Sequence, residues 1–249
     1  MDINGFRIGQ ASPYKQSFGE ASVQRNAQGQ VVINATGKND NIAVQNLGGN
    51  KIGVSVNGQQ FAFDKSELAG GLVVNGGRGN DNITVGPGVD VPLTVKGGKG
   101  NDRISNFSNN ARIEGNQGND AISNFANHAS IDGGFGHDAI NSYGHGNQLQ
   151  GGFGNDSISS RGRFNQVLGG AGNDNLFARG AFNSVQGGAG WDNVGVLGRF
   201  NNADGGLGFD SVRGFGFGNS LSQGPGFGSV FAAGPGLWST MFVPPTLLG

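Results

Sequence analysis

The sequence predicts an all-β chain wound as a parallel β-solenoid with coils of 18 residues. Three observations carry this: a repeat of that period, two aliphatic columns nine residues apart within it, and Gly-rich turns.

The period comes from one nine-residue pattern. GGRGNDNIT starts at Gly76, GGKGNDRIS at Gly97, GNQGNDAIS at Gly115 and GGFGHDAIN at Gly133. GGFGNDSIS follows from Gly151, GGAGNDNLF from Gly169, GGAGWDNVG from Gly187 and GGLGFDSVR from Gly205. The first interval is 21 residues and the next six are 18. A repeat this short has no room for a helix and two turns, but it suits one flattened β coil.

Within the repeat, one aliphatic position lies two residues after each aligned Asp: Ile83, Ile104, Ile122, Ile140, Ile158, Leu176, Val194 and Val212. Nine residues later comes a second column: Ile113, Ile131, Leu149, Val167, Val185, Ala203 and Leu221. Each coil thus offers two short strands with an inward apolar residue. One coil cannot bury that residue alone, but stacked coils make a continuous core. At about 4.8 Å per coil, the repeat spans on the order of 35 Å.

Composition removes several alternatives. Gly makes up 51 of 249 residues, against a usual share of about 7%. Net charge is −1, without the basic footprint of a nucleic-acid binder. No apolar run approaches the roughly 20 residues of a spanning helix. Without Cys there are no disulfides or thiolate metal sites, leaving oxygen ligands for any ion.

The motif GGxGxDxUx resembles the RTX, or haemolysin-type, calcium-binding repeat, from Gly76 to about Gly214. The resemblance implies a right-handed parallel β-roll with Ca²⁺ between successive Gly-rich turns, in an exported bacterial protein. The implied metal-binding turns are Gly76, Gly77, Gly79 and Asp81; Gly97, Gly98, Gly100 and Asp102; and Gly115, Gly118 and Asp120. They continue as Gly133, Gly134, Gly136 and Asp138; Gly151, Gly152, Gly154 and Asp156; and Gly169, Gly170, Gly172 and Asp174. The last are Gly187, Gly188, Gly190 and Asp192, then Gly205, Gly206, Gly208 and Asp210. In the family both turns of a coil commonly carry the motif. Here alternate nine-residue halves, such as FNQVLG and FNSVQG, lack it, so one edge is expected to bind ions and the other not.

The chemistry of these turns is consistent with that. Calcium takes six to eight oxygens from carboxylates and carbonyls, and a Gly turn leaves its carbonyls unshielded. Aligned carboxylates one coil apart repel unless a cation lies between them. Eight turns leave seven gaps, hence up to about seven ions. Asn116 replaces a Gly and weakens the third unit, while His137 reads as a turn substitute for Asn. After Asp210 a Gly stands in the Asp position, which ends the stack.

The other turn carries Asn147, Asn165, Asn183, Asn201 and Asn219, with Phe164, Phe182 and Phe200 just before three of them. Asn ladders and stacked aromatics stabilise in-register strands. With Arg161, Arg163, Arg179 and Arg199, the Phe column also suggests a surface for a glycan or anionic polymer.

Toward the ends, residues 1–30 read as a polar leader without a cleavable secretory signal. Residues 31–75 read as a β cap with a degenerate first coil around Asp40 and a hairpin at Asn57-Gly58. Residues 76–222 are the solenoid proper. Residues 223–249, with Phe227, Phe231, Leu237, Trp238, Met241, Phe242, Val243, Leu247 and Leu248, read as an apolar cap or docking tail.

No HExxH, GxSxG or phosphate-binding Gly-Lys-Ser/Thr motif is present, so no enzyme is expected. The functional expectation is an exported calcium-binding β-roll whose ions drive folding, leaving by a type I or type III route. Alternatives are a self-associating rod forming fibres or a surface layer, and a glycan-binding or carbohydrate-modifying solenoid.

Overall fold

The computed structural model describes residues 15–18, 21–236 and 238–240. Most of the 24 strands among the described residues form a parallel β-solenoid of about nine coils of 18 residues, as expected. One short 3₁₀ helix, Lys65–Leu68, is the only helix among the described residues.

Each coil lays one strand on each of two faces. On one face, Leu93–Lys99, Arg112–Gln117, Ser130–Phe135 and Gln148–Phe153 pair in parallel and in register. On the other, Asn82–Val85, Arg103–Asn106, Ala121–Asn124 and Ala139–Tyr143 do the same. Identical positions therefore stack: Ile104 on Ile122 on Ile140, and Ile113 on Ile131 on Leu149. These side chains are fully or almost fully buried between the faces and form one cluster along the rod. The 21-residue interval keeps this register; Val89, on the connection between its coils, is buried too.

The solenoid is longer at both ends than the repeat motif indicates. Val31–Asn34 pairs in parallel with Leu72–Arg78, and Asn41–Gly48 with Asn82–Val85, so residues 31–44 form a complete coil. Residues 45–71 are an insertion between that coil and the next. Within it, Lys51–Val56 and Gln59–Asp64 form the expected hairpin, turning through Asn57 at φ +51° and Gly58 at φ +86°. The hairpin pairs antiparallel with Asn41–Gly48 and buries Ile52, Val54, Val56, Phe61 and Phe63. An antiparallel strand thus covers hydrogen-bonding groups that a parallel stack would leave open.

The polar-leader reading of residues 1–30 needs correction for part of its length. Ala21–Arg25 pairs antiparallel with Val31–Asn34 and buries Ala21 and Val23, and Lys15–Phe18 pairs with it in turn.

The boundary at residue 222 also moves. Phe227–Ala233 continues the coil in parallel with the preceding one, placing Val230 beside Val212. Backbone pairing extends the solenoid there without the Gly-Asp motif. Phe227 and Phe231 are not cap residues but exposed rings. Leu237, Met241, Phe242, Val243, Leu247 and Leu248 lie outside the described residues.

Candidate metal site

All eight motif turns fall on one edge of the solenoid, as the period requires. The second and third glycines of each motif hold positive φ, for example +115° at Gly152 and +123° at Gly154, whereas the first does not. A Cβ on either would lie under 3.0 Å from the carbonyl of the residue stacked beneath it, Gly134 or Gly136. Glycine permits both this conformation and this approach without strain. Asn116, at φ +79°, keeps the same register as Gly98 and Gly134, so the third turn follows the common path.

The Asp side chains turn inward and are buried. Each Oδ1 accepts the backbone N–H of the Asp one coil earlier, as from Asp138 to Asp156 (2.8 Å) and from Asp156 to Asp174 (2.7 Å). This ladder runs unbroken from Asp40 to Asp210. Outside it, a second ladder runs the opposite way. The side chains of Asn80, Asn101, Asn119, Asn155 and Asn173 accept N–H groups from the following coil. His137 takes the same role through Nδ1, as its turn position suggested.

The second Asp oxygen is different. Oδ2 of Asp81, Asp102, Asp120, Asp138, Asp156, Asp174, Asp192 and Asp210 is buried without a hydrogen-bond partner. Each packs closely over the first Gly of its own motif. A Cβ on Gly151 would come within 3.0 Å of both Asp156 Oδ2 and the Gly169 carbonyl of the next coil. The same pairing of Oδ2 with a next-coil carbonyl recurs at Gly76, Gly97, Gly115, Gly133, Gly169 and Gly187, and at Gly205 with the Gln223 carbonyl. Two buried acceptors packed against one Gly are unfavourable unless a proton or cation joins them.

The opposite edge shows how the same arrangement looks when it is complete. There Asn147 N–H donates to Asn165 Oδ1 (2.9 Å), and Asn165, Asn183 and Asn201 continue the ladder to Asn219. The second atom is now a donor: Nδ2 of Asn165, Asn183, Asn201 and Asn219 donates to the carbonyls of Gly144, Gly162, Gly180 and Gly198. One edge carries its own donors, while the Oδ2 atoms of the other have none among the described residues.

Electrostatics follow from burial. Desolvation pushes the carboxyls of Asp81, Asp138, Asp174 and Asp192 up to about 6 and that of Asp120 up to about 7, against the lowering effect of the accepted N–H. Asp102, Asp156 and Asp210 are raised by the same cause.

Asp40 differs from the rest, and the motif alone does not mark it out. Its carboxylate accepts from Thr36 N–H and Thr36 Oγ1 (both 2.8 Å) and from Asn57 Nδ2 (2.5 Å). The ladder thus begins with a satisfied carboxylate. Asn57, which looks like a hairpin residue only, is also its cap.

Among the described residues, no three acidic or imidazole side chains gather in one place. Any ion on this edge would therefore depend on carbonyls as much as on carboxylates. No helix among the described residues is long and apolar enough to cross a membrane. No family model, curated protein or solved structure matches the chain.

Proposed function

We propose that the chain is an exported, non-enzymatic calcium-binding β-roll whose folding is coupled to the ions its Asp edge takes up. The observation that carries this is the row of eight buried Oδ2 atoms, each facing a next-coil carbonyl with no proton donor between them. A hard divalent cation suits this set, since calcium accepts carboxylate and carbonyl oxygens together and tolerates irregular geometry. Asp81, Asp102, Asp120, Asp138, Asp156, Asp174, Asp192 and Asp210 would hold the ions. The Gly carbonyls of neighbouring coils and water would supply the remaining oxygens.

The ion neutralises carboxylates whose burial disfavours charge, so binding energy becomes folding energy. Where calcium is scarce the chain is loosened by its own Asp ladder, and where calcium is abundant the ladder becomes the joint between coils. Such a difference suits a protein made in one compartment and used outside it.

Isothermal titration with calcium, paired with circular dichroism in EGTA, tests this. The expected result is several ions bound, up to about seven for the seven gaps. Most of the β signal or thermal stability should disappear on chelation. No calcium heat together with identical melting in calcium and EGTA would overturn the proposal.

A further inference from the structure

The edge opposite the Asp ladder carries a second arrangement. Between residues 139 and 203 the acidic residues are Asp156, Asp174 and Asp192, all buried on the first edge. The four Arg of that stretch, Arg161, Arg163, Arg179 and Arg199, are all exposed on the strand ends leading into the other turn. Arg161 and Arg179 are neighbours in register, and Arg163 and Arg199 share a column one coil apart on either side of Ala181. None of the four joins an ion pair among the described residues, where Lys51, Lys65, Lys96 and Arg112 have acidic partners. Charge is therefore segregated, with cations alone on this surface.

Beside them stand Phe164, Phe182 and Phe200, at φ +59°, +57° and +54°. The same column holds Gly146, Gly218 and Gly236 at φ between +65° and +67°, so the turn itself calls for a left-handed residue. Glycine meets that need freely, whereas a large side chain meets it against steric resistance. Core packing does not compensate, because the three rings are 60%, 49% and 47% exposed. An unfavourable backbone that presents an exposed aromatic points to a use for the aromatic.

The rings are stacked, with centroids 5.2 and 5.3 Å apart and planes within 16° of parallel. Ring planes in contact lie about 3.5 Å apart, so the rings are slipped sideways by roughly 4 Å. The offset leaves part of each ring uncovered by its neighbours, consistent with their exposure.

We propose that this edge binds an acidic polysaccharide running along the rod. The slightly positive C–H faces of successive sugar rings lie on the negative faces of Phe164, Phe182 and Phe200. Carboxylate or sulfate groups pair with Arg161, Arg163, Arg179 and Arg199, whose planar forks match such anions. Three successive coils each present one ring, 5.2 and 5.3 Å from the next, so an extended repeating polymer can meet them one after another. Single-stranded nucleic acid fits less well: a base needs a whole ring face, and the chain as a whole has net charge −1.

The test uses the full chain in calcium-containing buffer with a fluorescent hyaluronate decasaccharide, a neutral dextran oligosaccharide and an oligothymidylate. Salt-sensitive binding to hyaluronate is expected, with neither control bound comparably. Exchanging both Arg161→Gln and Arg179→Gln should weaken it at least about tenfold. Phe182→Gly should weaken it to a similar degree at an unchanged or higher melting temperature, because glycine fits the left-handed turn. Absence of hyaluronate binding, binding indifferent to both sets of substitutions, equal binding of dextran, or preference for the oligothymidylate would each overturn the proposal.

Discussion

Replacing Asp174 with Asn exchanges Oδ2 for a nitrogen bearing two protons, converting one position of the Asp edge into the chemistry of the Asn edge. In EGTA near pH 8 this should stabilise the fold. Burial raises the Asp174 carboxyl from 3.8 to about 6, so above that pH the folded state holds a charge that burial disfavours. The cost is at most about 3 kcal/mol, and solvent screening beside the turn reduces it towards 1–2 kcal/mol. Asn removes that cost, keeps an Oδ1 for the N–H of Asp156, and offers Nδ2 to the Gly187 carbonyl. A hydrogen bond of this kind contributes about 1 kcal/mol, for a total gain of roughly 2–3 kcal/mol. On the proposed function the sign reverses in millimolar calcium, because the variant would lack a carboxylate for the gaps on both sides. Urea unfolding followed by circular dichroism in the two buffers measures both signs. Destabilisation by Asp174→Asn in EGTA as well would refute the reasoning, since Oδ2 would then have a favourable partner without metal.

Acidity should act in opposite directions with and without calcium. In EGTA the folded chain holds protons on Asp81, Asp138, Asp174 and Asp192 up to about pH 6, and on Asp120 to about 7, while the unfolded chain loses them near 3.8. Stability from these groups is therefore full below 3.8 and lost as pH rises through 6–7, so melting temperature in EGTA should be higher at pH 5 than at pH 8. With calcium the order should invert, because on the proposed function protons would compete with the ion for the same oxygens. Gly151→Ala would push a Cβ against both Asp156 Oδ2 and the Gly169 carbonyl. It should cost about 2–3 kcal/mol and remove calcium from that gap, read by urea unfolding and titration calorimetry. Asn57→Ala removes the bond to Asp40 and the acceptor for Asn41 N–H, and places Ala at φ +51°. A loss of about 2 kcal/mol is expected, with hydrogen-exchange protection falling first in residues 31–44.

Much of the fold and the candidate site was legible because a solenoid converts sequence period into spatial contact. Ile104, Ile122 and Ile140 stack since they are 18 residues apart, and the eight Asp share an edge for the same reason. The Asn ladder and the role of His137 followed from the same arithmetic. The hairpin at Asn57-Gly58 was readable because its turn chemistry is local.

What only the tertiary structure decided concerns contacts that break the period or depend on side-chain direction. Asp40 joins Asp81 across 41 residues, because the insertion between them folds back as a cap rather than as a coil. No spacing in the motif encodes that. Nor does spacing say which carboxylate oxygen meets an N–H and which is left facing a carbonyl; that depends on the depth of the turn and the angle of the Asp within it. The Phe column was visible as a repeat, but its left-handed backbone and stacked rings appear only once the coils are stacked. Period determines which residues become neighbours. The path of the chain between neighbours determines which of their atoms are satisfied, and so where chemistry is left to be done.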